Sequence, residues 1–175
     1  MKKIAVLFSN GTEELEALTP VDLLRRCDGA VCEIVSICGE FPQGSHGIVV
    51  KADKLIEDFD IEQYDAIVVP GGMPGATYIS QNEIVVKSLK KAFETGKLVA
   101  SICASPAVVL AKNNLIDGKK VTCYPAQVFV NSLLECIYTA KHVQIDGNLI
   151  TADGPESAFE FAREIAKNLG LSPKF

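Results

Sequence analysis

Cys103 closes the apolar run Leu98-Val99-Ala100-Ser101-Ile102, and Ala104-Ser105-Pro106 lead from it into an Ala/Val/Leu-rich helical pattern reaching about Lys112. A thiol in a strand-to-helix turn is held at the carboxyl edge of a parallel sheet, where open α/β folds place their sites. The turn also leaves backbone N–H groups and the positive end of the helix beside the sulfur. Both favour the thiolate, the form of cysteine that attacks electrophiles. The pattern is a nucleophile elbow with sulfur in place of a serine hydroxyl. The alternative is a buried structural cysteine, since free cysteine is among the most buried residue types.

Two other groups of residues stand at strand ends. Glu13, Glu14 and Glu16 follow the run Ile4–Phe8, and Gly71-Gly72 follow Asp65–Val69. In a parallel sheet these ends meet Cys103 at one edge. A carboxylic acid beside a thiolate is useful only if it keeps its proton, and burial raises a carboxyl pKa in that direction. Glu16 is the candidate, because acids in the first turn of a helix, as Glu13 and Glu14 are, serve the helix dipole. The alternative makes all three solvated helix-start residues. Backbone N–H groups of Gly72 and Ala104 would suit an oxyanion on an adduct of Cys103, although Gly-Gly after a strand also serves as a plain turn. Tyr124 ends a later strand and either lines the pocket or only packs. His46 lies in a turn and His142 opens a hairpin, so neither marks itself as the general base of a cysteine hydrolase.

The elements that must position these groups alternate along the chain. Strands are expected at Ile4–Phe8, Val31–Ile37, Ile48–Val50, Asp65–Val69, Leu98–Ile102, Lys119–Cys123, Ile137–Thr139, and in a hairpin at His142–Ile145 and Leu149–Thr151. Continuous apolar runs indicate parallel strands covered on both faces. Helices are expected from Thr12 as cap, with a kink or break at Pro20, at Ile84–Thr95 with Gly96 as the C′ residue, at Ala126–Leu134, and at Ala158–Leu169. Strands alternating with helices predict an α/β sandwich around a mostly parallel sheet with a small antiparallel hairpin. Residues 1–175 read as one domain, with no repeat and no linker.

The 175 residues carry a net charge of −5, with no basic cluster beyond a pair and no apolar run of membrane-spanning length. A nucleic-acid surface and a membrane anchor are therefore not expected. Without a signal-peptide layout, the expected location is the cytoplasm. Its reducing conditions leave the six cysteines free. Two histidines and no paired ligand motif give no reason to expect a metal, and nothing calls for an organic cofactor.

Several blocks together closely resemble the DJ-1/ThiJ/PfpI family, in its DJ-1-like branch. They are Ser9-Asn10-Gly11-Thr12-Glu13-Glu14-Leu15-Glu16, Thr19-Pro20-Val21-Asp22-Leu23-Leu24-Arg25-Arg26, Val68-Val69-Pro70-Gly71-Gly72, Ser101-Ile102-Cys103-Ala104-Ser105-Pro106, and Asp153-Gly154-Pro155 with Phe159-Glu160-Phe161-Ala162. The resemblance implies a flavodoxin-like three-layer sandwich, a homodimer, and no cofactor. Cys103 matches the family's reactive cysteine, Glu16 its protonated glutamate, and Gly72 and Ala104 its oxyanion amides. Arg26 matches an arginine near the dimer contact. His46 falls where DJ-1-like proteins carry an arginine reaching toward the partner's site.

The activities implied are glutathione-independent glyoxalase chemistry (methylglyoxal to lactate), deglycation of proteins or nucleotides, redox sensing or chaperoning, and proteolysis in the PfpI branch. The reading taken is a cysteine-dependent enzyme of glyoxalase or deglycase type, acting on small aldehydes or glycated protein and nucleotide. The alternative is an oxidative-stress sensor signalling through oxidation of Cys103. Two departures bear on it. Tyr124 stands where several members carry a pocket histidine, and a phenol is a poor base at neutral pH, so weak turnover is expected. The chain also ends at Phe175, short of the C-terminal helix that partly covers the DJ-1 site, so a more open pocket is expected.

Overall fold

In the computed structural model, residues 1–175 form β1 (Lys2–Phe8), α1 (Glu14–Arg25), β2 (Ala30–Ser36), β3 (Lys54–Leu55), β4 (Ala66–Val69), α2 (Gly75–Gln81) and α3 (Glu83–Glu94). Then come β5 (Leu98–Ile102), a wide π-type helix (Pro106–Ala111), β6 (Lys120–Val121), the single turn α4 (Gln127–Val130), β7 (Ile137–Tyr138), β8 (Val143–Asp146), β9 (Leu149–Ala152) and α5 (Ala158–Asn168). Seven strands make one sheet in the order β3-β2-β1-β4-β5-β9-β8, and β6 pairs with β7 in a separate ribbon. Every pairing in the large sheet is parallel except β8 with β9. This is the sandwich the alternation of elements predicts, with the small hairpin at one edge.

Successive strand residues point to opposite faces, and each run is apolar throughout because both faces are covered. Ala5, Leu7, Ile67, Val69 and Val99 pack on one side with Ile79, Leu89 and Val109 from α2, α3 and the π-type helix. Ile4, Val6, Phe8, Val68, Ala100 and Ile102 pack on the other with Leu24, Phe161 and Ile165 from α1 and α5.

Four local expectations are corrected. Helix α1 runs unbroken through Pro20. A proline inside a helix costs about 3 kcal/mol, but Val21, Leu23 and Leu24 are buried against the sheet and α5, each contributing about 1.5–3 kcal/mol, and packing wins. Glu13, not Thr12, caps that helix: its carboxylate accepts the Glu16 N–H at 2.9 Å, while the Thr12 hydroxyl accepts the Ser9 N–H at 2.9 Å. Residues 48–50 form no strand, only a bridge from Val49 to Gln43, because the loop is tied to Glu14 instead. The segment expected helical at 126–134 has one α turn followed by the 3₁₀ turn Asn131–Leu133. Helix α2 has no sequence signal, since Pro74, Gly75 and Thr77 interrupt any apolar period.

The close packing at the sheet's carboxyl edge depends on glycine. Gly72 has φ +89°, and a Cβ there would lie 2.4 Å from the Glu13 nitrogen and 2.5 Å from the Gly11 carbonyl oxygen. Gly118 also has positive φ, +74°, but open space around it. Gly118→Ala is therefore expected to cost about 1 kcal/mol in urea unfolding, and Gly72→Ala about 3 kcal/mol or more. Equal losses would show that the close approach at Gly72 is not a constraint.

Candidate active site

Cys103 is the first residue after β5, and its backbone is left-handed, with φ +64°. A residue with a side chain is held in that region at a cost of about 1–3 kcal/mol, by surroundings that over-determine it. Here the clamps are visible. The Cys103 N–H donates to the Ala152 carbonyl at 2.9 Å, and its carbonyl accepts the Tyr124 N–H at 2.8 Å. Two residues on, the buried Ser105 hydroxyl donates to the Pro70 carbonyl at 2.6 Å, tying the elbow to the end of β4. The sulfur is half-buried between the two cores.

Glu16 sits in the first turn of α1, completely buried. One carboxyl oxygen, Oε2, accepts the Gly71 N–H at 2.8 Å. The other, Oε1, is buried with no hydrogen-bond partner of good geometry. Gly71 stands between acid and thiol: a Cβ there would fall 2.6 Å from Glu16 Oε2 and 2.7 Å from the Cys103 Cβ. The absence of a side chain at Gly71 lets the two groups meet.

Their ionisations are coupled. Burial pushes the Glu16 carboxyl up to about 7, with the thiol and the Gly71 N–H acting against the rise and the Glu13 charge adding to it. Burial also pushes the Cys103 thiol up, and the Glu16 carboxylate adds to that rise, while the Ala104 and Gly72 N–H groups pull the other way. The expectation of a thiol depressed by its surroundings is thus corrected. An ionised Glu16 disfavours the thiolate, so the two groups titrate as a coupled pair.

The remaining sequence candidates fall in different places. Gly71 lies against the Cys103 Cβ, and the Gly72 and Ala104 N–H groups face the sulfur. Tyr124 follows β6 and is half-exposed; its ring packs edge-on against Phe129. It lines an open depression of about 380 Å³ with Pro125, Asp153, Gly154, Pro155 and Glu156. Arg26 lies at the far end of α1 from Glu16, pairing with Asp22 at 3.2 Å and covering the Phe175 ring. His46 closes on Glu14, ring nitrogen to carboxylate at 2.9 Å. Neither Arg26 nor His46 reaches the thiol of its own chain.

Glu13 and Glu14 are buried, not solvated as the alternative had it. Glu13 caps α1. Glu14 accepts the His46 N–H at 2.7 Å and the Ser45 hydroxyl at 3.2 Å, which holds the loop 45–48. Glu13, Glu14 and His46 bring one ligand atom each within 4.8 Å of the others, the only such trio; its carboxylates already serve the helix cap and the loop.

Sequence reasoning set His142 aside as a base and gave Asp153 no role of its own. Asp153 follows β9, the strand that clamps Cys103, and its carboxylate meets the His142 ring at 2.8 Å. That contact raises the His142 pKa. Its position at a strand end beside the elbow was the available signal.

Residues 2–168 match the DJ-1/PfpI family. The chain belongs to that family. Protein DJ-1 homolog B of Arabidopsis thaliana is 35% identical over 170 residues, 96% of this chain but 38% of that relative, so this chain spans about two fifths of its length. A protein of Pyrococcus horikoshii named a deglycase is 31% identical, over 95% of this chain and 99% of its own length. The structure of oxidized DJ-1 from Toxoplasma gondii superposes with a TM-score of 0.91 at 38% identity, covering 97% of this chain and 91% of that one. The flavodoxin-like fold expected for a DJ-1-like chain is the one present. No helix is long and apolar enough to cross a membrane.

The raised Glu16 pKa has a consequence for stability. The folded protein holds that proton between the ordinary carboxyl value of 4.5 and about 7. Stability from this group is complete below 4.5 and is lost as pH rises through 7. Relative to Glu16→Gln, the wild-type protein is expected to lose about 3 kcal/mol between pH 4.5 and 7.5 in urea unfolding. A difference that stays flat with pH would mean the carboxyl is not desolvated.

Proposed function

We propose that this DJ-1/PfpI protein is a cofactor-independent enzyme acting on reactive aldehydes, of glyoxalase or deglycase type, with Cys103 as nucleophile and Glu16 as its proton partner. The observation that carries the reading is the pairing of a left-handed, half-buried cysteine with a fully buried carboxyl across a glycine. The name of the Pyrococcus relative supports it.

With the proton on Glu16, the Cys103 thiolate attacks the aldehyde carbon of methylglyoxal. A C–S bond forms, and the carbonyl electron pair moves to oxygen, where the Gly72 and Ala104 N–H groups stabilise it. Glu16 gives its proton to that oxygen. As a carboxylate it then takes the hydrogen from the former aldehyde carbon and returns it to the neighbouring carbon, while the hydroxyl proton passes to the former ketone oxygen. The result is a lactoyl thioester: one carbon is oxidised, its neighbour reduced, and no external oxidant is consumed. Water cleaves the thioester, releasing lactate and the thiol. On a glycated amine the thiolate displaces the amine from the aminocarbinol carbon: a C–S bond forms, the C–N bond breaks, the amine leaves with the Glu16 proton, and the same hemithioacetal results.

A second reading, redox sensing, draws on the Toxoplasma structure, which is described as oxidized. In that reading the species oxidised is the Cys103 thiolate formed when Glu16 holds the proton.

The partner proposed is a second copy of the chain. Leu15, Ile48, Phe159 and Phe175 are between 50 and 84% exposed and line a shallow depression with Leu18 and Arg26. Apolar side chains pooled in this way mark an interaction surface. The location proposed is the cytoplasm.

Lactate formed from methylglyoxal without glutathione tests the chemistry. Cys103→Ala is expected to lose at least 100-fold in kcat/KM, and Glu16→Gln about 100-fold. Turnover by Cys103→Ala equal to wild type would end the reading. Peroxide-dependent modification of Cys103 by mass spectrometry, with no turnover, would favour the sensor. For the partner, sedimentation is expected to show a dimer that Leu15→Asp converts to monomer.

A further inference from the structure

The depression lined by Tyr124 and Asp153 holds two acids and no lysine or arginine. Of the two residues whose backbones clamp Cys103, Tyr124 lines it, and Ala152 immediately precedes Asp153, which lines it too. The two acids are Asp153 and Glu156. Asp153 is partly compensated by His142 at 2.8 Å, whereas Glu156 is exposed and has no ion-pair partner.

From this juxtaposition we infer that the depression is the mouth of the site and that it acts as an electrostatic filter. Asp153 and Glu156 admit neutral or cationic electrophiles to Cys103 and hold back anionic ones. The inference rests on the reactive-thiol reading above and narrows its substrate class. A neutral aldehyde, or an aldehyde adduct carried on a lysine or arginine side chain, would be accepted. An α-oxo acid of the same size would be excluded by its carboxylate. Fields from partly exposed carboxylates are focused in a concave site and fade with salt.

Two methanethiosulfonates of matched size test the filter without requiring turnover, one carrying a trimethylammonium group and the other a sulfonate. In each, the cysteine thiolate attacks the reagent's sulfenyl sulfur; an S–S bond forms, and methanesulfinate leaves with the electron pair. Rates are read by mass spectrometry at Cys103 and at the exposed Cys38 of the same molecule, which serves as internal reference. The cation-to-anion ratio cancels the fraction of thiolate. Relative to Cys38, Cys103 is expected to favour the cation about tenfold at low salt. Glu156→Gln should reduce that preference and Glu156→Lys should erase most of it. Because Glu156 is exposed, neither change threatens the fold. A ratio at Cys103 equal to that at Cys38, or one unmoved by Glu156→Lys, overturns the filter.

Methylglyoxal turnover measured on the same preparations separates the two readings. Discrimination without turnover leaves the filter standing and overturns the aldehyde reading. Turnover without discrimination does the reverse. Cys103 unmodified by either reagent overturns both.

Discussion

A carboxyl with no access to water and a thiol beside it cannot both carry charge, and the rest of the molecule is arranged around that constraint. Glu16 is completely buried, with Oε2 bound to the Gly71 N–H and Oε1 lacking a partner. The second oxygen is a buried polar atom in want of a hydrogen bond, and such atoms are costly enough to indicate a role. With the proton on it, the carboxyl can donate to the Cys103 sulfur, the group it is coupled to. The carboxyl pKa near 7 places the exchange within the range where proton transfer in either direction is easy.

Three strand ends hold the pair. The end of β5 presents Cys103 in a left-handed conformation, the end of β4 supplies Gly71 and Gly72, and the start of α1, following β1, supplies Glu16. The strained cysteine and the buried acid both cost free energy. The two apolar layers offset this, since they fill both faces of the sheet with fully buried side chains. The glycines fit because nothing larger would: a methyl group at Gly71 would occupy the contact between acid and thiol.

Three glutamates in four positions carry three tasks. Glu13 caps its own helix, Glu14 holds the loop that carries His46, and Glu16 faces the thiol. The same helix thus orders both the proposed catalytic edge and the loop next to the exposed apolar face. Leu15, between Glu14 and Glu16, points outward on that face. The proposed dimer surface and the proposed site are therefore built from alternate residues of one helical turn.

Much of this was legible in residue order, for physical reasons. Continuous apolar runs mark strands buried on both faces, because no polar side chain can be accommodated there, and a run ending at Cys103 ahead of a helical pattern places the sulfur at the sheet's edge. The amphipathic helix ending at Gly96 was legible in the same way. Helix α2 was not, because short helices punctuated by glycine and proline have no period to read. Pro20 misled because its local cost is visible in sequence while the packing that overrides it is not. The burial of Glu13 and Glu14, the separation of Arg26 and His46 from the thiol, and the acids beside Tyr124 all depend on contacts between distant residues. Sequence alone settled which groups could react and at which edge of the sheet they gather. Only the tertiary structure decided which of them share a proton, since ionisation depends on burial and on distances of a few ångströms, and neither is local to the chain.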